Sequence, residues 1–280
     1  MSQALPPSSE AQLPGNGWDR LREALAAARA RGERGRLFFR DDDVADDEPL
    51  LCRLLDLFAA DETPLNLEII PGQLTLAGRR RLRDRWEEAP ALFDLHQHGW
   101  VHQNHEASGR KCEFGPARSF EEQLKDLRAG RDRLRDQFGS AFVPVFTPPW
   151  NRYSHATITA LIELGFRAFS GLRRPDASGA WPSGASEEGG LRSLPATLDL
   201  IEWGERRRLR PVPELLALLS AQLAEQGRAG PDAPPVGILL HHAVMDETAF
   251  DFLARLLRLL RESGSVEVLR FSTLLSAPCG

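Results

Sequence analysis

Short apolar runs recur along this chain with helix-length segments between them, and that alternation restricts the fold more than any other feature. Candidate strands are RLFF from Arg36, LNLEII from Leu65, LFDLHQ from Leu92, FVPVF from Phe142, FRAFS from Phe166, LPATLDLI from Leu194, VGILLHH from Val236 and VEVLRF from Val266. Segments with helical spacing, such as PLLCRLLDLFAA, SFEEQLKDLRAGRDRLRDQF and TAFDFLARLLRLLRE, stand between most of them. Strands joined by helical crossovers pair in parallel, so a mostly parallel sheet with helices outside it is expected. An open doubly wound sheet and a barrel both satisfy the pattern. The strand ends favour the barrel: RLFFRDDD, LFDLHQHG, FVPVFTPPW, LPATLDLIEW and VGILLHH each run apolar and then turn polar or irregular. Five such ends converge at the mouth of a (β/α) barrel, where loops are free to vary while the barrel stays packed.

At 280 residues, one large domain or two small ones would fit. Residues 1–16, rich in Pro, Ser, Gly and Gln, read as a flexible leader, and 17–280 as a single barrel domain; a Gly/Ser/Pro-rich stretch near 173–190 reads as a surface insertion. A net charge of −5 argues against nucleic-acid or anionic-membrane partners, and the basic run ERRRLR from Glu205 is too short to make a phosphate groove. No apolar run approaches the roughly 18 residues that span a bilayer, and the N-terminus lacks a basic region followed by an apolar one. A cytoplasmic protein is expected, with Cys52, Cys112 and Cys279 reduced and Cys52 in the core.

Four of the seven histidines, His96, His98, His102 and His105, fall within HQHGWVHQNH. His98 and His102, four apart, would share one face of a helical turn and could hold one Zn²⁺ with positions left open. Alone, such a pair is more often two surface histidines. Asp41, Asp42 and Asp43 follow the first strand; adjacent carboxylates repel and need a cation, a hydrogen-bond network or open water. His241 and His242 end a later strand. If the fold is a barrel, these groups meet at one mouth.

The ordered motifs resemble those of the polysaccharide deacetylase, or NodB-homology, family (carbohydrate esterase family 4). Arg40-Asp41-Asp42-Asp43 is similar to T-F-D-D, His98-Gly99-Trp100-Val101-His102 to H-[ST]-x-x-H, Thr147-Pro148-Pro149-Trp150 to R-x-P-[YF], Asp199-Leu200-Ile201-Glu202-Trp203 to D-x-x-D-W, and Leu239-Leu240-His241 to L-x-H. The resemblance implies a distorted (β/α) barrel holding one divalent metal, usually zinc, on Asp43, His98 and His102. It further implies Asp42 as the base that activates water, His241 as the acid that protonates the leaving amine, and Glu202 or Asp199 as the carboxylate keeping His241 charged. Trp150, Trp203, Pro149 and Arg40 would line the substrate pocket, with Asp41, His96 and His242 behind the ligands and His105 and His155 on the surface.

Departures accompany the resemblance. The three aspartates leave the register open: base and ligand are Asp42 and Asp43, or Asp41 and Asp42, the first being preferred because it keeps LFF in the strand. Thr147 replaces the arginine that pairs with the base in the family, a charge that Arg40 or Arg152 could supply from elsewhere. Gly99 replaces the hydroxyl residue. The implied function is metal-dependent removal of an acyl group from a small N-acylated sugar or related amide. The alternatives are a non-sugar C–N hydrolase or a catalytically silent barrel that binds a metal or ligand.

Overall fold

The computed structural model describes residues 17–172, 190–230 and 232–276. The leader, the bulk of the 173–190 insertion and Cys279 lie outside these. In chain order the elements are α1 (Gly17–Ala30), β1 (Gly35–Val44), α2 (Pro49–Ala60), β2 (Leu65–Ile69), α3 (Leu76–Glu88), β3 (Phe93–His98), α4 (Phe120–Phe138), β4 (Phe142–Thr147), α5 (His155–Glu163), β5 (Ala168–Phe169) and β6 (Arg192–Ser193). They continue with β7 (Leu198–Asp199), β8 (Ile201–Glu202), β9 (Arg208–Leu209), α6 (Val212–Ala229), β10 (Val236–Leu240), α7 (Glu247–Ser263), β11 (Val266–Val268) and α8 (Phe271–Ser276).

A parallel sheet runs β6-β5-β4-β3-β2-β1-β10-β7, with β11 added beside the start of β1. Its terminal strands β6 and β7 do not pair, so the barrel is distorted and open on that side. The expected α/β barrel architecture is present.

β1 shows how the apolar runs become barrel staves. Successive side chains of a strand face opposite ways. Leu37 and Phe39 point outward, and Phe39 meets Phe58 of α2 edge-on at 5.2 Å. Phe38 points inward and meets Phe271 of α8 at 4.8 Å, within an inner cluster that includes Val145, Ala168 and Leu269. Burial on both faces explains the continuous apolar run, and each such side chain contributes about 1.5–3 kcal/mol. Beyond Phe38, the inward positions turn polar at Arg40 and Asp42. The inner face thus passes from an apolar base plugged by α8 to a charged mouth.

The helices seal the outer layer. α7 buries Phe250, Leu253, Leu256, Leu257 and Leu260 at the three- and four-residue spacing of a single stripe. α4 begins with a reciprocal capping box between Ser119 and Glu122. No helix among the described residues is long and apolar enough to cross a membrane.

The sequence pattern fails in one place that matters for the site. LPATLDLI reads as a single strand, but the chain leaves the barrel after Asp199, whose Oδ1 accepts from the Ile201 amide at 2.9 Å. Ile201 and Glu202 then pair antiparallel with Arg208 and Leu209 in a small separate hairpin.

Candidate active site

The ends of β1 and β3 bring three side chains together. Asp43 Oδ1 lies 3.2 Å from His98 Nε2 and 3.3 Å from His102 Nε2. His98 Nδ1 donates to the Thr147 carbonyl at 3.1 Å, and its Nε2 faces the Asp43 carboxylate. The candidate ligand atoms all fall within 4.8 Å of one another, a spacing a single ion can bridge. Two imidazoles and one carboxylate are a donor set that suits zinc and leaves further coordination positions free. The residues present fit a divalent ion.

Without an ion, the trio shares protons unevenly. Burial pushes His98 down, but the Asp43 hydrogen bond and the Asp42 charge outweigh it and hold the imidazole at about 9. Burial and the neighbouring His98 push His102 down to about 4. Asp43 itself lies well below the usual carboxylate range, its burial outweighed by the His98 hydrogen bond and by the charges of His98, His241 and His102.

His102 does not follow His98 on a helical turn. β3 stops at His98, and the chain bends through Gly99 at φ +60 to reach His102 at φ +54. Of the five non-glycine residues with positive φ among the described residues, Asp43, His102, Trp150 and Asn151 sit at this mouth. Backbone strain of this kind persists where the surroundings over-determine it, commonly at functional sites.

The three adjacent aspartates are kept apart by three different partners. Asp41 accepts from both the amide and Nδ1 of His242, at 2.9 and 2.6 Å. Asp42 faces inward onto Arg40: Nη2 donates to Oδ2 at 3.0 Å, and Nε approaches Oδ1 at 2.9 Å. Asp43 joins the histidines, because the β1–β2 register slips between Asp41 and Val44 and the backbone at Asp43 turns left-handed at φ +70. The bulge breaks the strict alternation that would have sent Asp43 to the same face as Asp41.

Arg40 therefore corrects one expectation. It is fully buried and cannot line a substrate pocket. Its guanidinium is fixed by Ser170 O and Oγ, Gly171 O and Asn151 Oδ1 at 2.6, 2.8, 3.2 and 2.9 Å. It supplies to Asp42 the positive charge that Thr147 lacks. Arg152 instead donates to the Lys111 carbonyl at 2.7 Å. Burial still raises the Asp42 carboxyl above its ordinary value, against the lowering pull of Arg40. A raised carboxylate is a better proton acceptor near neutral pH.

His241 and His242 diverge, as their positions at a strand end imply. His241 Nε2 comes within 3.9 Å of Asp42 Oδ2, and its ring lies 4.7 Å edge-on from Trp203. The expected carboxylate support for His241 is not there. Glu202, turned outward by the hairpin, pairs with Arg208 at 2.8 Å; the Asp199 oxygens take the Ile201 amide and, at 2.7 Å, Trp203 Nε1. Asp199 thus holds the indole that packs on His241. His241 Nδ1 is buried without a partner, and burial pushes the imidazole below its ordinary value against the raising charges of Asp42, Asp43 and Asp41.

Trp203 is 46% exposed and Trp150 half-buried, and the two rings border the mouth, Trp150 4.3 Å from His102 and Trp203 4.7 Å from His241. Pro149 is buried and packs behind Gly99, which removes it from the expected pocket lining. His96 lies deeper, with Nδ1 3.2 Å from Glu68 and its ring 5.0 Å from Phe271; it touches none of the three ligands. His105 is half-buried and His155 exposed.

Sequence reasoning missed Glu113, Asn151, Ser170 and Glu68. Glu113, fully buried, accepts from the amides of Trp100 and Val101 at 3.2 and 2.8 Å. It lies thirteen positions beyond Trp100, and no motif flags it. A lone acid in the irregular stretch RKCEFG carries no periodic signal that would have marked it.

The fold is an open (β/α) barrel of the kind found in polysaccharide deacetylases. No protein-family model and no curated sequence matches the chain. Among solved structures, it resembles a Mycobacterium smegmatis protein that carries the provisional name of polysaccharide deacetylase, with TM-score 0.61 and 16% identity over 97% of this chain and 94% of that one. It also resembles a carbohydrate esterase family 4 pseudoenzyme from Bacillus anthracis, with TM-score 0.50 and 13% identity over 86% of this chain and 66% of that one. A mutant pseudoenzyme of that family with restored enzymatic activity matches with TM-score 0.52 and 14% identity, over 87% and 68% of the two chains. At these identities the likeness is one of fold.

Proposed function

We propose that this protein is a divalent-metal-dependent amide hydrolase that removes a short acyl group from an N-acylated amine, with acylated sugars as the leading substrate class. One observation carries the reading: Asp43, His98 and His102 converge at a barrel mouth beside a buried Asp42–Arg40 pair and His241. A divalent ion held there, zinc in the first instance, would supply Lewis-acid polarisation of water and of the acyl carbonyl.

The chain's own residues account for the proton movements. Asp42 takes the proton of the attacking water, and Arg40 holds the carboxylate in place for it. When the C–N bond breaks, the amine nitrogen needs a proton, and His241 is placed to give it. Burial leaves His241 neutral at the outset. Its Nε2 lies 3.9 Å from the Asp42 oxygen, so the proton taken from water needs only a small movement to reach the imidazole that delivers it. One water is consumed, and one carboxylate and one amine leave. Trp203 and Trp150 offer apolar faces at the mouth for the acyl and carrier groups.

A silent barrel is the reading that the missing motif arginine would favour. Arg40 removes that ground, because it reaches the base from two residues upstream. The test is acetate release by zinc- or cobalt-loaded protein from N-acetylglucosamine, its oligomers and non-sugar acetamides. Asp42→Asn should retain stoichiometric metal and lose turnover by about 10²- to 10⁴-fold, and Asp43→Asn should lose metal first. Metal-loaded protein inert across the whole panel would refute the hydrolase. Catalytic loss in Asp41→Asn with metal loss in Asp42→Asn would shift the assignment by one residue.

A further inference from the structure

The two histidines of the proposed metal site are held by very different means. His98 is the last residue of β3, paired to β4, with its ring anchored on the Thr147 carbonyl. His102 belongs to no regular element, and its backbone is left-handed. Something other than a strand must fix the bend from Gly99 to His102.

We propose that Glu113 is the positioning residue of this loop, and that Gly99 stands where the family has a hydroxyl residue because the Glu113 carboxylate occupies the space a side chain would need. The inference rests on the metal site proposed above. Glu113 Oε1 accepts from the Val101 amide at 2.8 Å and Oε2 from the Trp100 amide at 3.2 Å. Two carbonyls of the same loop are tied as well. The Trp100 carbonyl accepts from the Gly72 amide at 2.7 Å, and the Val101 carbonyl from Gln73 Nε2 at 2.6 Å. Glu113 is the only charged member of this clamp, and its two oxygens span consecutive amides as no neutral side chain can.

Gly99 completes the arrangement. Its φ of +60 disfavours any side chain, and a Cβ built there would collide with Glu113 Oε2 and with Pro149. A hydroxyl residue at 99 and a carboxylate from 113 are therefore mutually exclusive in this loop. With Glu113 in place, amides that would otherwise lie unpaired against the barrel rim point into a fixed acceptor, and His102 Nε2 is delivered opposite Asp43. Groups behind metal ligands typically change metal affinity about 10- to 100-fold when lost.

Glu113→Gln tests this with nearly unchanged volume. Its amide oxygen can accept one N–H, but its NH₂ faces the other donor to donor. Zinc affinity would be measured by chelator competition, cobalt spectra would report the ligand set, and melting of the metal-free protein would report the fold. Expected is a 10- to 100-fold weaker zinc affinity and an altered cobalt spectrum, while the metal-free melting temperature changes little. Glu113→Asp, which keeps the two-oxygen acceptor, should bind zinc more tightly than Glu113→Gln. Wild-type affinity and spectra in Glu113→Gln would overturn the inference, as would failure of both variants to fold, which would make Glu113 a core residue and not the keeper of one loop. His102→Ala separates the two readings. Zinc binding lost there but intact in Glu113→Gln overturns this inference alone; no zinc binding by the wild-type chain overturns the metal site with it.

Discussion

Replacing Arg40 by Met tests the reassignment of the motif arginine most directly. The side chain is fully buried and makes hydrogen bonds to Ser170, Gly171 and Asn151 besides its pair with Asp42. Met fills much of the volume but removes the charge, leaving the Asp42 carboxylate uncompensated in the barrel interior. Breaking a buried pair on one side costs about 3–5 kcal/mol. For a domain of this size about 2–4 °C of melting temperature is lost per kcal/mol, so the midpoint should fall by about 6–20 °C.

Two internal checks follow from the electrostatics. The double variant Arg40→Met, Asp42→Asn removes both charges, and replacing a whole buried pair is often nearly neutral. It should be more stable than Arg40→Met alone despite the second substitution, a coupling of order 1–3 kcal/mol in a double-mutant cycle. The sign of the pH dependence is also fixed. Burial already raises Asp42, and Arg40 is the first of the groups that oppose it. Without Arg40 the folded value rises further above that of the unfolded chain, so the ionised carboxylate destabilises the fold at neutral pH. The penalty should ease as pH falls through the raised folded value, because the folded state then takes up a proton that the unfolded chain does not yet bind. Thermal melts of wild type and both variants, followed by circular dichroism between pH 8 and 5, measure all of this. Arg40→Met melting within 2 °C of wild type, or a double variant less stable than the single, would refute an essential Arg40–Asp42 pair.

Metal affinity should rise with pH, since an ion must displace a proton from His98, which the Asp43 hydrogen bond and the Asp42 charge hold at about 9. Between pH 7 and 9 the gain should be about 50-fold by isothermal titration, and a flat profile would contradict a protonated His98. His241→Ala should lower kcat about 10²- to 10⁴-fold with metal content intact, whereas His242→Ala should act mainly on stability by stripping Asp41 of its partner. A dead His242→Ala beside a near-normal His241→Ala, in kinetics normalised to metal content, would reverse the roles of the pair.

The fold was legible because its signal is repeated. Each stave announces itself as an apolar run, and burial on both faces makes runs such as LFF continuous. The Asp43–His98–His102 cluster was legible for a related reason: Asp43 and His98 stand near the ends of β1 and β3, and strand ends are what the pattern locates. What escaped is what depends on a turn of the backbone. HxxxH spacing suggests a helical turn, but Gly99 at φ +60 produces a bend instead. DLIEW reads as the end of a strand, yet Asp199 captures the Ile201 amide and the chain folds into a hairpin that carries Glu202 out to Arg208. A side-chain-to-backbone hydrogen bond of this sort competes locally with the sheet ladder, and period-two alternation contains no trace of it.

The departures from the family motifs look independent in the sequence but are answered in space. Thr147 withholds a guanidinium from the base; Arg40, at the motif position of a threonine, returns one through a buried side chain that reaches across to Ser170 and Asn151. Gly99 withholds a hydroxyl, and the Glu113 carboxylate fills the place beside it. In both cases a group from elsewhere in the chain stands at the place concerned: the Arg40 guanidinium beside Asp42, and the Glu113 carboxylate against the His98–His102 loop. Random decay of a site would remove such groups without replacing them, because an isolated buried charge such as Arg40 or Glu113 is destabilising unless its partners are already in position. Two buried charged groups, each paired with groups at this mouth, therefore weigh toward a site that still has a geometry to maintain.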